Sequence, residues 1–288
     1  MIKKLIQHAL KLLESLTGYR IFIYPKMYPQ KITASKSRFG FWYAGDIFDK
    51  SDIAYGIWKN DIVEKNEVAL VREILDVISK DTKIVFYDIG ANTGIYTLIA
   101  SINYPCTVFS FEPVPEHIAI LRENIKLNKI GDVVTVMPLA LGAEKADLQM
   151  YVDGSGSSLF LKESYKTAKP TITVEVTSID LLFSEHTIPK PDFLKIDVEE
   201  YEGIVLQGAL KTITKYKPVI FIELINRKNT PEYSETLVLL TEIGYTVHCL
   251  QNNTLIPTKD NCTTQGVHMY LAIHPDTHSN LFETLKIN

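Results

Sequence analysis

The sequence predicts an α/β fold: a doubly wound, mostly parallel, seven-stranded sheet beneath an irregular N-terminal cap. Three observations carry this expectation. From residue 61 onward, short β-branched and aromatic runs alternate with stretches of helical periodicity. The first such run ends in a carboxylate and a glycine-bearing turn, and two later runs also end in acids, at Glu112 and Asp197. Strands separated by helices pair in parallel with right-handed crossovers, which gives an open sheet covered on both faces.

The elements follow in order. Met1–Tyr19 places Ile2, Leu5, Ile6, Ala9, Leu12, Leu13 and Leu16 on one helical face, which reads as a helix packed against the body or a partner rather than a membrane anchor. Residues 20–60 are aromatic-rich and broken by Pro25, Pro29, Gly40, Gly45 and Gly56, so residues 1–60 form the cap and 61–288 the main domain. Val68, Val71, Ile74, Leu75 and Ile78 follow helical spacing, and Ile84–Asp88 is the first strand. Thr107–Phe111, Val133–Met137, Phe193–Asp197 and Pro218–Leu224 are the next parallel strands. Between them lie helices over Pro115–Asn128 and Tyr201–Tyr216 and an antiparallel pair, Leu148–Val152 with Thr171–Val176. A helix over 231–243 stops at Gly244, and Tyr245–Leu250 with Val267–Ile273 close the chain as a strand pair.

Bulk properties narrow the function. The 288 residues carry a formal net charge of −4, so no overall basic field exists to hold a nucleic-acid backbone. Cys106, Cys249 and Cys262 are scattered and lack a CxxC spacing, which argues against a disulfide framework or a zinc site. No apolar run reaches membrane-spanning length and no signal-peptide pattern opens the chain, so a cytoplasmic protein without a stable membrane anchor is expected. A homodimer is the expected assembly.

In open α/β sheets the ligand lies beyond the carboxyl ends of the strands, where the first turn presents helix amides. Asp88-Ile89-Gly90-Ala91-Asn92-Thr93-Gly94 occupies that turn: the glycines permit close backbone approach and Asp88 is placed to pair a cationic amino group. Glu112, twenty-two residues after Gly90, is positioned to accept both hydroxyls of an adenosine ribose. A nicotinamide site would want GxGxxG against a pyrophosphate, and Gly90-x-x-x-Gly94 lacks that spacing. A ligand without phosphates, S-adenosylmethionine, fits better.

These residues resemble the FkbM-like family of methyltransferases. The likeness runs through Phe86-Tyr87-Asp88-Ile89-Gly90-Ala91-Asn92-Thr93-Gly94, Phe111-Glu112-Pro113 and Phe193-Leu194-Lys195-Ile196-Asp197-Val198-Glu199, within residues 60–245. Asn124, Asn128, Gly208-Ala209 and Glu202 also match, whereas Glu200 stands where the family usually shows glycine. The resemblance implies a class I methyltransferase fold, S-adenosylmethionine as cofactor and O-methylation of a hydroxyl. It further implies that Gly90, Asn92 and Gly94 face the methionine part, Glu112 the ribose, and Leu139 and Ala140 the adenine edge.

Methyl transfer to an alcohol needs precise alignment and either a general base or a metal that acidifies the hydroxyl. Asp197, Glu199 and Glu223 lie at strand carboxyl ends and are the candidate catalytic acids. A metal-free base is favoured over a hard cation such as Mg²⁺ held by these oxygens. Lys195 reads as a snorkelling surface lysine, His117 as a helix-surface residue, and His248 and His268 as structural. Gly154-Ser155-Gly156-Ser157-Ser158 reads as a hairpin loop or a lid, and the cap aromatics Phe39, Phe41, Trp42, Tyr43, Tyr55 and Trp58 as core or a sugar-stacking surface. The expected activity is therefore methylation of a hydroxyl on a sugar or secondary metabolite. The alternatives are an N-methyltransferase of an amine or protein side chain, a non-catalytic cofactor-binding scaffold and, last, a nicotinamide oxidoreductase.

Overall fold

The computed structural model describes residues 33–47, 52–60, 64–152, 157–159, 170–226, 231–251, 253–258 and 266–287. The expected helix over 1–19, Cys262 and most of the glycine-serine loop lie outside these residues.

The described part of the cap is more regular than its composition suggests. β1 (Thr33–Lys36) and β2 (Trp42–Gly45) form an antiparallel hairpin, followed by α1 (Ile53–Asn60). Gly40, at φ +94°, turns the chain between the strands, and the Ser37 amide closes the loop on the Phe41 carbonyl at 2.8 Å. Phe41, Tyr43, Ala54 and Ile57 enter the same apolar cluster as the main sheet, so these aromatics are core; Trp42, 44% exposed, is the exception. Two asparagines of the later helix over 115–128 dock the hairpin. Asn128 accepts the Trp42 amide at 2.7 Å and donates to the Trp42 carbonyl at 2.6 Å, while Asn124 accepts the Ala44 amide at 2.6 Å and donates to the Thr93 carbonyl at 2.8 Å. Carboxamides can satisfy a strand edge in this way because each carries both a donor and an acceptor.

After α2 (Lys65–Ile78) come β3 (Ile84–Ile89), α3 (Ile95–Asn103), β4 (Cys106–Phe111), α4 (Pro115–Asn128) and β5 (Val134–Met137). β6 (Ala140–Leu141), β7 (Ala146–Tyr151) and β8 (Thr171–Thr177) form a separate three-stranded sheet in the order β6-β8-β7. The chain continues through α5 (Ile179–Ser184), β9 (Phe193–Ile196), α6 (Glu202–Gln207), α7 (Leu210–Tyr216), β10 (Val219–Asn226), α8 (Pro231–Glu242), β11 (Thr246–Gln251), β12 (Thr254–Pro257), β13 (Gly266–Ile273) and α9 (Pro275–Thr284).

The main sheet has eight strands, not seven, in the order β12-β11-β13-β10-β9-β3-β4-β5. The run β10-β9-β3-β4-β5 is parallel, whereas β13 pairs antiparallel with both β10 and β11, and the unforeseen edge strand β12 pairs antiparallel with β11. The single helix expected over 201–216 is two: α6 ends at the Gly208 cap, where the Gly142 carbonyl packs too close for a Cβ, and α7 restarts with its Lys211 and Thr212 amides bonded to Asp180.

Both faces of the parallel run are buried. Phe86, Phe193 and Phe221 point to one cluster, and Tyr87, Leu194 and Ile220 to the other. Phe86 and Phe193 stack with centroids 4.8 Å apart across β3 and β9.

Candidate active site

The turn after β3 is shaped by a close approach of two strand ends. Gly90 sits at φ +72°, and a Cβ there would fall 1.8 Å from the Asp197 carbonyl oxygen, so the position admits only glycine without backbone movement. The Gly90 and Ala91 amides both donate to the Phe111 carbonyl at 3.0 Å, which ties the turn to the end of β4. Gly94, at φ +98°, starts α3, and its missing Cβ makes room for Leu121, whose Cδ1 would be 2.4 Å away. Gly94 therefore serves helix packing, and it is not part of the cleft wall.

Glu112, immediately after β4, is buried and faces the cleft. Its Oε2 accepts the Asn92 amide at 2.8 Å; its Oε1 accepts the Val114 amide at 3.0 Å and lies 3.2 Å from His117 Nδ1. A carboxylate offers about four lone-pair sites, so acceptor capacity remains for a ligand. His117 is a correction to the sequence reading: it turns inward from the first turn of α4 to contact Glu112 and line the cleft.

Lys195 is a second correction. It is 3% exposed, because β9 is covered on both faces and alternation only exchanges one buried face for the other. Its Nζ donates to the Gly90 carbonyl at 3.0 Å and lies 3.2 Å from Asp197 Oδ2, 3.7 Å from Asp88 Oδ1 and 5.2 Å from the centre of the Tyr96 ring. Burial alone would lower the ammonium's pKa, yet Asp197, Asp88 and Glu64 together raise it. Asp88 lies beneath the cleft rather than in its wall. Its Oδ2 accepts the Thr97 amide at 2.9 Å and the Thr97 hydroxyl at 2.6 Å, and burial pushes its carboxyl up against the pull of Lys195 and these bonds. The Tyr96 hydroxyl donates to Glu64 Oε2 at 2.6 Å. Glu64 lines the cleft as an exposed residue; desolvation around its carboxyl raises its pKa, the Tyr96 bond opposes this and Asp197 reinforces it.

The loop leaving β9 carries two consecutive left-handed residues, Glu199 at φ +59° and Glu200 at φ +79°. The Glu200 geometry is one that a glycine adopts freely and an L-residue adopts only under strain. Buried Glu202 supports the loop by accepting the Val198 amide at 3.0 Å and the Glu200 amide at 3.3 Å. Burial outweighs these bonds and pushes its carboxyl up to about 7. The Ser158 hydroxyl holds the Glu199 carbonyl from across the loop. Glu223, on β10, is pushed up to about 9, by burial first and then by Asp197, Glu202 and Glu199.

One cavity of about 370 Å³ gathers Gly90, Asn92, Glu112, Ala140, Asp197, Glu199 and Glu223. Of the sequence-predicted site residues only Asp88 and Gly94 are left out of its wall. Asp52, Glu64, Tyr96, His117 and Tyr201 join it without having been predicted. Helical spacing could not reveal that His117 turns inward, and Asp52, Glu64 and Tyr96 arrive from the cap, α2 and α3. Among the described residues no group of three or more His, Cys, Asp or Glu side chains is arranged to hold a metal, so the Mg²⁺ alternative has no ligand set here. Among the same residues no helix is long and apolar enough to cross a membrane.

A parallel sheet with a glycine turn after its first strand, an acid after the second and a cleft across the strand ends is the arrangement of an open α/β nucleotide-binding fold. A solved S-adenosylmethionine-dependent methyltransferase from Agrobacterium tumefaciens shares the fold, with TM-score 0.50 and 9% identity over 90% of this chain and 75% of that one. The methyltransferase FkbM domain matches residues 88–247, more than half of the chain, and the protein belongs to this family of S-adenosylmethionine-dependent methyltransferases. Several relatives are similar in sequence, among them two methyltransferases. The hexuronic acid methyltransferase AglP of Haloferax volcanii is 28% identical over 62% of this chain and 72% of its own length. The 31-O-demethyl-FK506 methyltransferase FkbM of Streptomyces tacrolimicus is 28% identical over 43% of this chain, and the match spans 59% of that relative's length.

Proposed function

We propose that this protein transfers the methyl group of S-adenosylmethionine to a hydroxyl oxygen of a sugar or secondary metabolite. The observation that carries the reading is the meeting of Asp197, Glu199 and Glu223 in the same cavity as the Gly90 turn and Glu112. The activities named for the two relatives, on a hexuronic acid and on a demethylated FK506 oxygen, support it.

The residues present fit the cofactor. Acids dominate the charged cleft wall, which complements a ligand carrying a sulfonium and an ammonium. Glu112, already oriented by two backbone amides, has lone pairs left for ribose hydroxyls. Gly90 and Asn92 hold the methionine end, and Ala140 borders the adenine. When bound, S-adenosylmethionine would supply an electrophilic methyl group open to in-line attack by the acceptor oxygen, with S-adenosylhomocysteine as the leaving group.

The protein's part is alignment and proton removal. Burial, then Asp197, Glu202 and Glu199, push the Glu223 carboxyl up, which suits it to donate a hydrogen bond to the acceptor. Asp197, aligned by Lys195 at 3.2 Å, receives the hydroxyl proton.

The test has two stages. Calorimetry should show saturable binding of S-adenosylhomocysteine and none of NAD; the reverse result would remove the cofactor assignment. A screen of hydroxyl and amine acceptors should then yield O-methyl products. Asp197→Asn should cut turnover by roughly 10²-fold or more while the variant remains folded. Near-normal turnover would take the base away from Asp197, and exclusive methylation of amines would overturn the hydroxyl assignment.

A further inference from the structure

Lys195 makes more contacts than the alignment of Asp197 requires. Lys195 lies on the same sheet face as Asp88, directly opposite it in the β3–β9 register, and Asp197 follows two residues later on that face. Its ammonium reaches two separate pieces of chain: the Gly90 carbonyl in the turn after β3, and the Asp197 carboxylate at the end of β9.

Compensation of buried charge accounts for only part of this arrangement. Asp88 Oδ1 is buried and accepts no hydrogen bond, so the ammonium 3.7 Å away is what balances it. Balancing Asp88 does not require a bond to a neutral carbonyl. The Lys195–Gly90 bond instead fixes a turn whose amides continue the linkage outward: Gly90 and Ala91 to Phe111, and Asn92 to Glu112. The Tyr96 ring lies against the ammonium and carries the contact on to Glu64 at the cleft wall.

We propose that Lys195 is a positioning residue that locks the cofactor-facing turn to Asp197, so that the loop holding the cofactor and the group receiving the acceptor proton keep one fixed relation. The proposal rests on the methyltransferase reading. It places Lys195 outside the reacting atoms and gives it control over how well they are held.

Removing the ammonium alone strands Asp88, and Lys195→Met is therefore expected to fold poorly. The informative variant is the neutral pair Asp88→Asn with Lys195→Met, because replacing both partners of a buried ion pair is far better tolerated than removing one. Its melting temperature should lie well above that of Lys195→Met, because Asp197, the partner left without a cation, is 28% exposed and reaches water. Its affinity for S-adenosylhomocysteine, read by calorimetry, should remain weaker by about 10- to 100-fold, the scale of a lost charge-assisted bond to the turn. Lys195→Arg keeps the charge and displaces the donors, so it should stay folded and weaken the same binding by a smaller factor. Wild-type affinity in either folded variant would reduce Lys195 to charge compensation and overturn the proposal. Absence of S-adenosylhomocysteine binding by the wild-type protein would instead sink the methyltransferase reading, and the proposal with it.

Discussion

Replacing Gly90 with alanine should unfold the strand-end junction on which the cleft depends, and four glycines allow the causes to be separated. At Gly90 two penalties coincide: φ is +72°, and the new Cβ would lie 1.8 Å from the Asp197 carbonyl oxygen. A left-handed conformation costs an L-residue roughly 1–2 kcal/mol. Forcing a methyl group against packed backbone costs roughly 1–3 kcal/mol more. The sum, about 2–5 kcal/mol, corresponds to a fall of roughly 5–15 °C in melting temperature for a domain of this size. Gly40 isolates the strain, since φ is +94° and nothing lies within 4 Å of a built Cβ. Gly208 isolates the clash, with the Gly142 carbonyl oxygen 1.9 Å away at an ordinary φ of −75°. Gly131 carries neither penalty and should change stability by no more than about 0.5 kcal/mol. Thermal unfolding followed by circular dichroism on the four alanine variants should rank Gly90 as the most damaging, Gly208 and Gly40 as intermediate and Gly131 as neutral. A Gly90→Ala protein that melts with the wild type would refute the close approach of β3 and β9, and with it the geometry assigned to Asp197.

Three further outcomes are expected. Glu112→Ala should weaken S-adenosylhomocysteine binding by roughly 1.5–3 kcal/mol in calorimetry, through loss of charge-assisted bonds; unchanged affinity would remove Glu112 from the ribose site. Glu223 has its carboxyl pushed up to about 9 from an ordinary 4.5, so between those values the folded chain keeps a proton that the unfolded chain has released. Stability therefore falls as pH rises through that window, and Glu223→Gln should flatten the decline in melting temperature; parallel pH profiles for the two proteins would show that the group is not desolvated. Asn124→Ala should destabilise by about 1–3 kcal/mol because the Ala44 amide and Thr93 carbonyl lose their partner in a buried setting, whereas Asn128→Ala, nearer solvent, should cost about 1 kcal/mol. Denaturant unfolding that gave Asn128 the larger loss would contradict the docking of the hairpin through Asn124.

Much of the fold was legible because local physics repeats along this chain. β-branched and aromatic runs marked the strands that form the parallel core, and helical spacing in Val68, Val71, Ile74 and Leu75 marked α2, where those four residues are buried. What escaped was local structure maintained by distant partners. The cap read as irregular because its hairpin edge is completed by Asn124 and Asn128, some eighty residues away. β12 escaped because a four-residue edge strand needs β11 beside it to exist. The break between α6 and α7 is held by Asp180, some thirty residues away, whose carboxylate accepts the Lys211 and Thr212 amides.

The candidate site divides in the same way. By itself the sequence determined which chemical groups stand at strand ends: a glycine turn after β3, Glu112 after β4, Asp197 after β9 and Glu223 near the end of β10. These follow from strand length and the punctuation after each run, both local properties. Only the tertiary structure decided how the groups meet. Register sets Asp88 beside Lys195 and carries Asp197 against Gly90, and helices covering both faces turn Lys195 from an expected surface lysine into the buried centre of the acids. A strand's alternation states that neighbouring side chains point to opposite faces; whether either face meets water depends on what else packs there, and that is decided by the whole chain.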